Sequence, residues 1–212
     1  TDVLLAEALG RGVAERLDAY LLPAIPISAS IEHRKARGTV YLHGRTLTAV
    51  VRDIAESLHG SGFTRLLIAN FHGGNWVLKP AIRGINRARP DFRAVLLYPD
   101  LPPAAMAEIF AHPTGDIHAG EYETSLMLHL HPDKVRPLSA TPDRPFPPQA
   151  FLDYFDATDL TASGHWGWPA EATAEKGRRA YAALIDHAVR TYEQIEAMGR
   201  EIEARTKAPR AP

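Results

Sequence analysis

The 212-residue chain contains no cysteine. That one absence excludes disulfide staples, thiolate nucleophiles and thiolate metal sites together. Long apolar runs are missing as well. No stretch reaches the ~20 residues of a membrane-spanning helix, and no signal-peptide pattern opens the chain. Charge of one sign is not in excess, since the formal net charge is -1. Nothing therefore favours nucleic acid or a membrane as partner, and a cytoplasmic setting is expected. There is no P-loop and no GxSxG elbow. The segment GRGVAE (10–15) shares two glycines with a dinucleotide fingerprint, but it falls inside a helical pattern rather than after a strand.

What the chain does have is 10 histidines and 25 carboxylates, so any metal site must be built from nitrogen and oxygen ligands. Apolar periodicity predicts a helix over Val3 to Asp18, with Asp2 at its N-cap position. Residues 20–27 (YLLPAIPI) read as a Pro-interrupted strand and 28–44 as a polar loop. Helix is expected over 45–62, a buried strand over 64–70, and helix from Trp76 to Arg89, stopped by Pro90. A second buried strand follows over 92–98, then helices over 102–112 and 121–132. A Pro-rich surface stretch spans 137–148, and a long helix runs from about Ala170 to Arg205. Helices alternating with continuous apolar strands indicate an α/β sandwich with a mostly parallel sheet. A single domain is expected over 1–205, with a disordered tail at 206–212.

Two segments carry chemistry. In NFHGGN (70–75), His72 lies just past the end of the 64–70 strand, where open parallel sheets bind ligands. Gly73 and Gly74 would permit positive φ and close backbone approach, and Asn75 could cap the next helix. The same residues read equally well as a plain strand-to-helix turn. In GDIHAGEYETSLML (115–128), Asp116, His118, Glu121 and Glu123 stand together. A histidine among carboxylates can supply a metal ligand, its supporting partner and a general base. First-turn acids answering the helix dipole are the competing explanation for Glu121 and Glu123. Trp166 and Trp168, in SGHWGWP, could cover a flat substrate or belong to core. Glu32 and His33, in IEH (31–33), are weaker candidates for which a solvated loop is the favoured reading, and Asp2 reads as a plain N-cap.

Together NFHGGN and HAGEYETSLML (118–128) resemble the creatininase family, which carries N-G-H-G-G-N or N-G-H-Y-E-N after a strand and later H-[AG]-G-x-x-E-T-S-L-M-L. The resemblance runs over nearly the whole chain. It implies a three-layer αβα sandwich, two divalent metal ions (Zn, Mn or Fe) at the strand ends, and a homohexamer. It also implies roles: Asp2 as the bridging ligand, His72 and Glu123 as further ligands, and His118 as the catalytic histidine, oriented by Asp116 or Glu121. Which of Glu121 and Glu123 binds metal stays open. Phe71, Trp76, Trp166 and Trp168 are the candidate substrate contacts. The implied activity is hydrolysis of a small-molecule amide, a cyclic amide or formamide. The alternatives are a peptidase of peptide-derived cofactor maturation and an inactive binding protein. Two departures stand out. The family's upstream E-Q-H-G ligand segment is not in the sequence, which begins at Thr1, so an upstream extension is expected. Phe71 replaces the family's usual glycine.

Overall fold

The structure is a computed structural model that describes residues 1–138 and 146–207. Its helices are α1 (Asp2–Leu17), α2 (Gly44–Gly60), α3 (Leu78–Ala88), α4 (Pro103–Ile109), α5 (Glu121–Leu130), α6 (Ala157–Leu160) and α7 (Ala174–Lys207). Strands β1 (Arg65–Ala69) and β2 (Arg93–Leu97) pair in parallel, with Arg65 opposite Arg93 and Ala69 opposite Leu97. Short 3-10 turns occupy Ile31–His33, Pro132–Lys134, Gln149–Asp153 and Pro169–Glu171.

Side chains alternate across a strand with a period of two, and the two strands use both faces. Leu67, Ala69, Val95 and Leu97 pack with α1, α4, α5 and α7, around Leu5, Leu9, Leu126 and Leu184. Leu66, Ile68, Ala94 and Leu96 face α2 and α3, around Leu47, Val51, Leu78 and Ile82. The result is the expected αβα layering. α5 and α7 come close because Gly177 has no side chain: a Cβ there would overlap the Ser125 carbonyl. Tyr181 of α7 donates to the Ala8 carbonyl of α1 at 2.9 Å.

The strand expected over 20–27 does not form. Pro23 and Pro26 remove ladder donors, and Tyr20, Leu21, Leu22, Ile25 and Ile27 are exposed. Among the described residues β1 pairs only with β2. Its other edge borders a cleft of about 710 Å³, which α1 and residues 19–25 help to line and which reaches Asp2 and His72. Two helix starts move inward. α3 begins at Leu78 and leaves Trp76 in a turn, and α7 begins at Ala174 after the Pro169–Glu171 turn. α7 continues to Lys207, past the start of the expected tail. Of the Pro-rich stretch, 139–145 lies outside the described residues, as does 208–212 of the tail. Among the described residues no helix is long and apolar enough to cross a membrane.

Candidate metal centre

The site grows from the carboxyl end of β1. Asn70 continues the ladder by donating its backbone N–H to Leu97 O at 3.0 Å, and its buried side chain then shapes the turn. Asn70 Nδ2 donates to the His72 carbonyl at 3.0 Å, while its Oδ1 accepts from Asn75 Nδ2 at 2.9 Å. Asn75 does not cap α3. Its Oδ1 accepts the Ala29 N–H at 3.1 Å, which ties the 28–44 segment across the turn. Two asparagines thus fold a remote loop over His72 and deliver Glu32 and His33 beside it.

The His72 ring, with 11% side-chain exposure, lies between two carboxylates. Its Nδ1 is 2.9 Å from Asp2 Oδ2, and its Nε2 is 2.8 Å from Glu32 Oε1. Nε2 and Oε1 are close but misaligned for a hydrogen bond, and both are buried without another partner. Two donor atoms that converge without bonding each other suit a shared cation. Glu32, His33 and His72 each offer a ligand atom within 4.8 Å of the others. His33 also links onward: its ring lies 5.8 Å from that of His72 and 4.8 Å from that of His118. A mixed imidazole and carboxylate donor set fits Zn, Mn or Fe.

Burial disfavours charge on His72, but the flanking Asp2 and Glu32 outweigh it and raise its pKa to about 9. Burial pushes Asp2 and Glu32 up, yet His72 holds both below the usual carboxylate range. His118 moves the other way. Burial first, then the cationic neighbours His33 and His72, push it down to about 4. It is therefore neutral at pH 7. Glu123 is raised to about 7 by burial and by Asp2, although its Oε2 accepts the Ala119 N–H at 2.6 Å.

His118 is held by its backbone. It forms an antiparallel bridge with Trp166, whose N–H donates to His118 O at 2.7 Å and whose carbonyl accepts from Ile117 and His118 at 2.8 and 3.1 Å. Ala119 follows at φ 50, a left-handed conformation rare outside glycine. The chain then enters α5.

The other expected residues divide. Asp2, His72 and His118 come together, and Glu123 lies within their electrostatic reach. Asp116 and Glu121 face elsewhere. Asp116 Oδ1 accepts from Glu121 N at 2.8 Å and Trp168 N at 3.1 Å, and its Oδ2 accepts from Tyr122 N at 2.8 Å. It caps α5 and pins the 163–169 loop rather than touching the His118 ring. Glu121 is wholly buried and pairs with Lys176. Phe71 is 5% exposed and turns into the core, where it stacks with Tyr122 at 6.4 Å. Trp166 is buried, Trp168 stacks on His112 at 3.9 Å, and Trp76 is 66% exposed. The residues that sequence reasoning ranked too low are Glu32 and His33. An adjacent Glu-His pair in a chain without thiols was their only signal.

Comparison with known proteins identifies the family. The family model for creatinine amidohydrolase (creatininase) matches residues 1–192. A creatinine amidohydrolase of Pseudomonas putida is 35% identical over 200 residues, covering 83% of this chain and 75% of the relative. A mycofactocin precursor peptide peptidase of Mycobacterium tuberculosis is 32% identical over 203 residues, covering 90% of this chain and 76% of the relative. Among solved structures, a manganese creatininase superposes with a TM-score of 0.75 at 26% identity, covering 91% of this chain and 82% of that one.

Proposed function

The chain belongs to the creatininase family, and we propose that it is a metal-dependent amidohydrolase that cleaves a non-peptide C–N bond, in a cyclic amide or a formamide. The observation that carries this reading is the convergence of His72 Nε2 and Glu32 Oε1, both buried and unpartnered, beside Asp2. Asp2, Glu32, His33, His72 and Glu123 would hold two divalent ions. A bound divalent ion supplies a water of lowered pKa and polarises a carbonyl oxygen. His118, neutral at pH 7, takes up a proton and returns it to the departing nitrogen. Its ring partner in this task is His33. Trp166 fixes the His118 backbone through the antiparallel bridge, and buried neighbours limit water at the ring. A homohexamer in the cytoplasm belongs to the same reading.

A second reading is hydrolysis of a peptide bond, supported by the 32% identity to the mycofactocin precursor peptide peptidase. One experiment addresses both. The full-length protein is stripped with chelator, reloaded with Zn²⁺ or Mn²⁺, and assayed on cyclic amides, formamides and short peptides. Metal-dependent turnover of the first two classes supports the main reading, and turnover of peptides alone supports the second. No turnover of any of them, with metal bound, would sink both.

A further inference from the structure

The two glycines after His72 are not alike, and neither is there for its backbone freedom. Neither Gly73 nor Gly74 has a positive φ, so the conformational reason for a Gly-Gly turn does not apply. The space around them tells them apart. A Cβ on Gly73 would meet nothing within 4 Å. A Cβ on Gly74 would overlap Glu32 Oε1, lie 2.5 Å from His72 Nε2 and lie 2.8 Å from Glu32 Cδ. The point occupied by a single hydrogen at residue 74 is therefore flanked by Glu32 Oε1 and His72 Nε2, two of the buried atoms that lack hydrogen-bond partners.

We propose that Gly74 is the position that admits Glu32 to the metal centre: because residue 74 has no side chain, a carboxylate from the Ile31–His33 turn can stand against His72 and serve as a ligand. This rests on the metal-dependent reading above, which counts Glu32 among the ligands, and adds the residue that lets it in. The ligand comes from a loop, held by the Asn75 to Ala29 hydrogen bond, rather than from the turn itself. The overlap with a side chain at 74 falls on the far end of the flexible Glu32 side chain and on His72 Nε2, so the carboxylate must swing away and the ring must shift with it while the turn stays intact. A methyl group at 74 thus expels the ligand without breaking the fold.

The test is metal affinity, measured by calorimetric titration of the stripped full-length protein with Zn²⁺ and Mn²⁺. Gly74→Ala is expected to weaken binding at least tenfold. Glu32→Gln is expected to do the same, and Gly74→Ala to cost less in the Glu32→Gln background than in wild type, since the two changes share the Glu32 interaction. Gly73→Ala is the control and should bind as wild type. Should Gly74→Ala fail to fold, Glu32→Gln decides: wild-type affinity there overturns the proposal. Wild-type affinity in Gly74→Ala, or losses that multiply in the double variant, would overturn it too while leaving the metal-dependent reading in place. A wild type that takes up neither metal would overturn both.

Discussion

Two acid-rich segments flank His118 in space, and they differ in where their carboxylates find partners. Asp116 accepts three backbone N–H groups, and Glu121 is paired with Lys176 and approached by the N–H groups of Ala111 and His112. Asp2 faces the His72 imidazole and Glu32 those of His72 and His33, and Glu32 leaves a buried oxygen without a hydrogen bond. A carboxylate whose acceptor sites are filled by the protein is a structural brace. One held close to a histidine and left unsatisfied is poised for something the protein does not itself supply. The contrast separates structure from chemistry among acids near one histidine, and each side of it can be broken.

The largest effect is expected at His118. His118→Ala should lower turnover by roughly 10²–10⁴-fold, the usual contribution of a positioned acid or base, with metal content unchanged by elemental analysis. Loss of metal in that variant would move His118 to the ligand set.

Lys176→Met comes next and tests the braced side. It leaves the wholly buried Glu121 without its cation. Breaking such a pair costs about 3 kcal/mol or more, read as a shift of the urea unfolding midpoint. The metal affinity of the protein that remains folded should not change.

Asp116→Ala should be milder. It removes the cap of α5 and costs about 1–2 kcal/mol. A loss of turnover far beyond the loss of folded protein would give Asp116 a chemical role.

A further effect, read without any substitution in the site, is a pH dependence of the metal-free protein. The His72 pKa is raised from 6.5 to about 9 in the folded state. Its stabilising contribution is therefore fully present below pH 6.5 and is lost as pH rises through 9. Chelated wild type should lose stability across that window, whereas His72→Gln should show a flatter profile.

Much of the layered architecture was legible because it depends on local patterns. The alternation in RLLIA and RAVLL gives two strands that use both faces, and the amphipathic stripes of α1, α2 and α7 cover them. The segment 20–27 misled because apolar content looks like a strand, whereas two prolines and the lack of a pairing partner decide otherwise. In the site, His72, His118 and Glu123 could be picked out from the two motifs, and Asp2 only through the family resemblance. Glu32 and His33 could not, because their position depends on a hydrogen bond between Asn75 and Ala29, 46 residues apart in sequence. Asp116 and Glu121 look like site acids in sequence, since residue type alone does not reveal which N–H groups a carboxylate meets. Phe71 likewise looks like a pocket wall, but the turn at Asn70 sends it into the core.

The most direct test of the central claim compares the two segments in one titration. Wild type, His72→Ala and Lys176→Met are stripped with chelator and titrated with Zn²⁺ at pH 7.5 while proton release is followed. His72 carries a proton in the metal-free state at this pH. Wild type and folded Lys176→Met should therefore bind Zn²⁺ and release that proton, whereas His72→Ala should lose tight binding and the release with it. Equal binding by wild type and His72→Ala, or no binding by either, would contradict the account.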